Sequence, residues 1–153
     1  MSLQSVFAMW SIIQIVKIYL WGVKRLYYIK KLLRLRFKTG IELNPNCAGS
    51  GLHISHGKIV VGSIAKIGRN CKILSDVTIG SQGRYDRVGN PQIGDRVFIG
   101  SGAKIIGNIQ IADDVVIGAN SVVLHSITEP GITVAGIPAK KVSNIGSYHY
   151  LNK

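Results

Sequence analysis

Aliphatic residues recur at every sixth position along most of the second half of the chain. They form two series, Val61, Ile67, Ile73 and Ile79, and then Ile93, Ile99, Ile105, Ile111, Ile117 and Val123. The step between the series, from Ile79 to Ile93, is fourteen positions, which is one repeat plus eight extra residues. Four positions after an aliphatic residue comes a small or β-branched one, and glycine often follows the aliphatic residue directly. This period predicts a parallel β-helix, in which the aliphatic side chain points inward and glycine relieves the turn.

Residues 3–38 have a different pattern, which predicts helix. The segment has no proline and a single glycine, and it is rich in Leu, Ile, Lys, Arg and aromatic residues. Four lysines spaced seven apart line one stripe of this helix, namely Lys17, Lys24, Lys31 and Lys38. The most apolar part, residues 6–20, falls short of the roughly 20 apolar residues of a spanning helix, and no small-residue cleavage site follows it. We therefore expect neither a transmembrane helix nor a signal peptide.

The net charge of +12 on 153 residues is concentrated in this segment. Residues 1–40 contain eight Lys or Arg and no Asp or Glu, so the remaining 113 residues carry only +4. Two explanations stay open. The segment packs on the rest of the protein with a solvated lysine stripe, or it lies on a membrane with its aromatic residues at headgroup level and its lysines facing anionic lipid. No nucleic-acid-binding motif accompanies the charge, so nucleic acid is not an expected partner.

The two cysteines, Cys47 and Cys71, do not make a disulfide framework, which indicates a reducing compartment. We therefore expect a cytoplasmic protein, with residues 1–38 either packed on it or in peripheral contact with the inner face of the membrane.

Five segments, taken together in this order, resemble the serine acetyltransferase branch of the hexapeptide-repeat acyltransferases. They are GIELNP (40–45), ISHGKIVVG (54–62), DVTIG (76–80), IGSGAKIIGNI (99–109) and VAGIPAKKV (134–142). The resemblance implies a left-handed parallel β-helix in a homotrimer, which moves an acetyl group from acetyl-CoA to a hydroxyl. We accordingly divide the chain into a basic amphipathic helical segment (1–39), a β-helix domain (40–143) with a protruding loop at about 82–90, and a C-terminal tail (144–153).

The same resemblance implies a catalytic pair. His56 matches the histidine that serves this branch as general base, and Glu42 matches its acidic orienting partner. The chemistry agrees, because a hydroxyl attacks a thioester poorly unless a base removes its proton, and histidine titrates near neutral pH. A carboxylate on the other ring nitrogen would fix the tautomer and stabilise the imidazolium. His53 matches no residue of the family and is expected to be a surface or core histidine.

The resemblance also places the CoA and substrate sites. The pantetheine arm is expected along the prism between two subunits, past Ser81, Ser101, Gly102 and Ala119. The CoA phosphates need nearby cations, and the available ones are Lys104, Lys140 and Lys141. The protruding loop offers Arg84, Arg87 and Asn90 to the acceptor. No metal is expected, because a zinc site would need three converging histidines.

The acceptor is predicted from departures from the family pattern. Serine acetyltransferases carry an RHP segment in the loop, where this chain has Gly89-Asn90-Pro91, and they have an acid before the catalytic histidine, where this chain has Ser55. We therefore expect that recognition of a free amino acid has been lost. Short members of the family with a basic N-terminus resemble acetyltransferases of surface polysaccharides. We therefore predict a sugar acceptor in polysaccharide biosynthesis. Serine O-acetylation is the alternative, and a non-catalytic trimeric scaffold is the second alternative.

Overall fold

The computed structural model describes residues 23–55, 57–83 and 89–151. Helix α1 (Val23–Thr39) comes first and helix α2 (Tyr148–Leu151) last. The strands between them are β1 (Ile41–Glu42), β2 (His53–Ile54), β3 (Ile59–Val61), β4 (Lys66–Ile67), β5 (Lys72–Ile73), β6 (Thr78–Gly80), β7 (Gln92–Ile93), β8 (Phe98–Ile99), β9 (Lys104–Ile106), β10 (Gln110–Ile111), β11 (Val116–Ile117), β12 (Val122–Val123), β13 (Thr133–Gly136) and β14 (Ala139–Ser143).

Successive strands belong in rotation to three sheets, so the chain winds into a three-sided prism. Sheet A has the strand order β1-β3-β6-β9-β12, sheet B has β4-β7-β10, and sheet C has β2-β5-β8-β11-β13-β14. All pairs are parallel except β13 with β14, which form an antiparallel end to sheet C. We name the prism edges by the sheets that the chain joins there, and the C–A corner is where it passes from sheet C to sheet A.

The six-residue ladder forms the core. All ten aliphatic positions of the repeat are at most 5% exposed, and the small positions that follow, such as Ala65, Cys71 and Ala103, are completely buried. This burial follows from the pattern, because residues six apart return to the inner surface at the next prism face. The predicted fold class, a left-handed parallel β-helix of hexapeptide repeats with a short N-terminal helical segment, is confirmed.

The glycines of the repeat have a different role from the predicted one. Gly68 and Gly100 are not in the left-handed region of backbone space, which is occupied at the corners by residues such as Asn70 (φ 55°) and Asp76 (φ 59°). Instead, the next coil passes too close for a side chain. A Cβ on Gly68 would lie 2.3 Å from the carbonyl oxygen of Gly94, and one on Gly100 would lie 2.6 Å from the amide nitrogen of Ala119. At Gly68 and Gly100, glycine is therefore needed for coil stacking rather than for the turn.

Two glycines make a matched test of this explanation. Gly100→Ala is expected to lower the free energy of unfolding by about 1–3 kcal/mol, because the added methyl group meets backbone of the next coil. Gly80→Ala is expected to change it by less than about 0.5 kcal/mol, because nothing lies within 4 Å of its Cβ position. Denaturant unfolding of both variants measures the difference, and equal losses would show that coil stacking does not require Gly100.

The eight extra residues lie between β6 and β7, at the A–B corner. Paired positions in adjacent coils are eighteen residues apart at Val61 and Ile79, but twenty-six apart at Ile79 and Ile105. Residues 81–83 and 89–90 flank this insertion, and residues 84–88 lie outside the described part of the chain.

Helix α1 packs on the first coil of the prism. Leu32 and Thr39 are buried, and the Arg36 guanidinium donates hydrogen bonds to the Leu43 carbonyl oxygen (2.7 Å) and to Asn44 Oδ1 (2.8 Å). The described helix covers the second half of the predicted one, and residues 1–22 lie outside the description. Within the described residues, no helix is long and apolar enough to cross a membrane.

Candidate active site

The C–A corner stacks residues from successive coils into one column. Ser75, Ser101 and Ala119 occupy equivalent positions in three consecutive coils, where Gly102 N–H donates to the Ser75 carbonyl and Asn120 N–H to the Ser101 carbonyl, each at 2.8 Å. Adjacent coils are about 4.8 Å apart. Three residues predicted to bind CoA, Ser101, Gly102 and Ala119, are thus brought together by the fold.

The column presents hydrogen-bond donors. The backbone N–H groups of Ser75, Ser101 and Ala119 donate no hydrogen bond within the described part of the chain, and all three residues are at least partly exposed. A partly exposed N–H must bond to water or to a ligand. The row therefore suits a ligand that carries several carbonyl oxygens along an extended arm. Ser75 was missed by the sequence prediction, although its register with Ser101 would have found it.

The lower end of the column departs from the six-residue spacing. Ile54 and Val61 are seven positions apart, whereas the corresponding residues of the next coil, Ile73 and Ile79, are six apart. Val60 is paired in register with Thr78, so this C–A corner has five residues (55–59) where the next coil has four (74–77). His56 itself lies outside the described residues, but its chain neighbours Ser55 and Gly57 lie at this corner, directly below the column.

Glu42 lies beside this corner on the outer face of sheet A. It is exposed on β1 and is paired in register with Val60, which follows the corner segment on β3. A Cβ at Gly40, two residues before Glu42, would lie 3.4 Å from Lys58 Cγ. Within the described residues the Glu42 carboxylate forms no ion pair, so it remains available to a neighbouring polar group.

The three predicted phosphate-binding lysines have different environments. Lys104 Nζ donates to the Asp76 carbonyl oxygen (2.7 Å) and to Thr78 Oγ1 (3.2 Å), which holds its charge next to the C–A column. Lys141 Nζ lies 2.6 Å from the Glu129 carboxylate, so its charge is already paired. Lys140 is exposed on β14 and forms no ion pair with the described residues.

Lys140 is also close to the column. It pairs in register with Ala135, and the Ala135 Cβ lies 3.0 Å from the position that a Cβ on Gly118 would take, next to Ala119. The structure thus favours Lys104 and Lys140 over Lys141 as cations for a ligand at this corner.

Two further predicted positions are not part of the column. Ser81 follows β6 at the A–B corner, so it is separated from the column by the length of a sheet A strand, about 10 Å. Arg84 and Arg87 lie outside the described residues.

Asn90, the third predicted loop residue, is only 8% exposed and is packed against the prism rather than available to a substrate. Its Oδ1 lies 2.2 Å from where a Cβ on Gly62 would be, and it accepts no hydrogen bond from the described residues.

A separate cavity of about 420 Å³ lies on the outer side of sheet C, under α2. His53, Lys72 and Arg96 line it together with Cys71. Burial raises the pKa of the Cys71 thiol to about 11, so this cysteine is a poor nucleophile at neutral pH. The cavity contains none of the predicted site residues.

Among the described residues, no group of three or more His, Cys, Asp or Glu could hold a metal ion.

The family described as "Bacterial transferase hexapeptide (six repeats)" matches residues 90–125. The serine acetyltransferase of Helicobacter pylori J99 is 41% identical over 124 residues, which cover 78% of this chain and 72% of that protein. The serine acetyltransferase of Staphylococcus xylosus is 41% identical over 149 residues, which cover 95% of this chain and 67% of that protein.

Solved structures give the same family. Soybean serine acetyltransferase complexed with serine superposes with a TM-score of 0.74 at 33% identity over 90% of this chain. A serine acetyltransferase in complex with CoA superposes with a TM-score of 0.72 at 33% identity, also over 90% of this chain. The chain spans 57% of the length of each of these two solved chains.

These relatives contradict the predicted sugar acceptor and the predicted role in polysaccharide biosynthesis. The sequences at 41% identity and the superposed structures are serine acetyltransferases. The prediction rested on the departures at Gly89-Asn90-Pro91 and Ser55 and on the short basic N-terminus, which do not outweigh 41% identity to serine acetyltransferases. Of these positions, Asn90 is buried against the prism.

Proposed function

Since the chain belongs to the serine acetyltransferase family of hexapeptide-repeat acyltransferases, we propose that it transfers the acetyl group of acetyl-CoA to the hydroxyl of L-serine. The family predicted from the sequence is confirmed, and with it an acyltransferase that uses acetyl-CoA. The observation that carries the assignment of the site is the C–A column, in which the corner that contains His56 lies directly below the unpaired N–H groups of Ser75, Ser101 and Ala119.

In the proposed mechanism, His56 removes the proton of the serine hydroxyl while that oxygen attacks the thioester carbonyl. Backbone N–H groups of the corner stabilise the tetrahedral oxyanion. The C–S bond then breaks, and the leaving CoA sulfur takes the proton from the His56 imidazolium, so that CoA leaves as its thiol. Glu42 accepts a hydrogen bond from the other ring nitrogen of His56 and stabilises the imidazolium. The position of Glu42 opposite Val60, beside the lengthened corner, supports this role.

The remaining residues position the two substrates. The pantetheine arm follows the column along Ser101, Gly102 and Ala119, and its amide carbonyls accept from the unpaired N–H groups. Lys104 and Lys140 bind the CoA phosphates. Arg84 and Arg87 of the loop are the cations that we propose for the serine carboxylate.

We further propose a homotrimer in which neighbouring subunits complete the site, as the resemblance implies.

An acceptor assay tests the proposed function. Release of free thiol from acetyl-CoA is expected to increase strongly on addition of L-serine, and not on addition of glycine, which has the same charged groups and no hydroxyl. Thiol release that is equal with L-serine, with glycine and with no acceptor would contradict serine O-acetylation.

A further inference from the structure

Helix α1 carries an apolar stripe that no described residue covers. Leu26, Ile29, Leu33 and Phe37 are spaced three or four apart, and this spacing places them on one side of the helix. Phe37 is 91% exposed and Leu26 is 63% exposed. Single exposed apolar residues are ordinary on protein surfaces, but four in one row are characteristic of a binding surface.

A basic stripe runs directly beside the apolar one. Lys30, Lys31, Arg34 and Lys38 are exposed, and Lys30 and Arg34 follow Ile29 and Leu33 around the helix. No carboxylate is present among residues 1–41, so no acidic residue of the segment can neutralise these charges. The remaining cation near the C-terminus of the helix, Arg36, points the other way and is bound to Leu43 and Asn44.

The orientation of the two stripes is fixed by the opposite face of the helix. Leu32 is 5% exposed and Thr39 is 6% exposed, and Thr39 Oγ1 donates to the Leu35 carbonyl oxygen (2.7 Å). Because this buried face and the Arg36 hydrogen bonds pack α1 on the first coil of the prism, the apolar and basic stripes face away from it.

We propose that the surface formed by these two stripes binds an anionic lipid bilayer, with the apolar stripe at the acyl boundary and the basic stripe at the phosphate groups. A helix with one apolar and one cationic side lies in the plane of such an interface. A second copy of this chain fits less well, because it would bring an equally cationic helix against this one and offer no acid to pair with it. The inference does not depend on the proposed acetyl transfer.

Sedimentation of the full chain with lipid vesicles tests the proposal. We expect it to bind vesicles of phosphatidylglycerol and phosphatidylcholine, to bind pure phosphatidylcholine vesicles at least about tenfold less, and to be released by salt. Arg34→Glu is expected to weaken binding to the anionic vesicles at least about fivefold, because each cation near such a surface contributes about that factor. Phe37→Ser is expected to weaken it as well.

Two control variants distinguish vesicle binding through the α1 surface from binding that depends only on net charge or on exposed apolar residues elsewhere. Lys66→Glu reverses an exposed lysine on sheet B, and Tyr148→Ser removes an exposed aromatic residue near the C-terminus, so both should bind the vesicles like the parent chain. Both α1 variants should keep the circular dichroism spectrum of the parent chain. Equal binding to both vesicle types would overturn the proposal. So would α1 variants that bind like their controls, or a change in oligomer mass in Phe37→Ser, which would assign the stripe to a second copy.

Discussion

Replacement of His56 by alanine is expected to lower kcat/KM for acetyl transfer to L-serine by about 10²- to 10⁴-fold. The serine hydroxyl is a weak nucleophile at neutral pH, and without the imidazole its proton has no acceptor of matched pKa in the transition state. The substitution lies at an irregular corner, outside the buried ladder, so the fold and the oligomer should be retained. Steady-state kinetics together with light scattering check both parts of this expectation.

His53→Ala is the control for this substitution. His53 is three residues earlier, exposed on the outer face of sheet C, and its loss should change kcat/KM by no more than a few-fold. Glu42→Gln should lie between the two, because it removes the charge that we propose orients the base and leaves the base in place. Activity of His56→Ala within a few-fold of the parent enzyme would assign the proton transfer to another group.

Replacement of Ile105 by alanine is expected to lower the free energy of unfolding by about 2–5 kcal/mol. Ile105 is fully buried on β9 of sheet A, between Ile79 of the coil before it and Val123 of the coil after it. The coils above and below hold the backbone in place, so the cavity left by the removed methyl and methylene groups cannot collapse. Urea unfolding monitored by circular dichroism gives the change.

Ile145→Ala is the matched control, since it makes the same chemical change at a side chain that is 56% exposed in the C-terminal tail. Its free energy of unfolding should change by less than about 0.5 kcal/mol. A similar loss in both variants would mean that the inner ladder does not dominate the stability of the prism.

The ladder could be predicted from the sequence because it depends only on spacing along the chain. Every predicted inward position, from Val61 to Val123, is buried, and the position of the insertion between Ile79 and Ile93 also follows from counting. The role of Gly100 could not be predicted in this way. It depends on the approach of Ala119, a residue of the next coil, and the sequence does not state that distance.

The site was predictable in part for the same reason. The lengthened corner at His56 can be read from the seven positions between Ile54 and Val61, and the stack of Ser101 on Ser75 follows from the coil length. The pairing of Lys141 with Glu129 could not be read, because it depends on how the β13–β14 end folds back. The acceptor was predicted wrongly because a few departures from the family pattern, Asn90 and Ser55 among them, were given more weight than the similarity of the whole chain to serine acetyltransferases.

The most direct test of the proposed function is mass spectrometry of the product formed from L-serine and acetyl-CoA at neutral pH, with the parent enzyme and with His56→Ala. We expect the parent enzyme to form O-acetylserine in step with the release of CoA, and His56→Ala to form almost none. Absence of O-acetylserine with the parent enzyme, or equal amounts with both proteins, would contradict a serine O-acetyltransferase that uses His56 as its base.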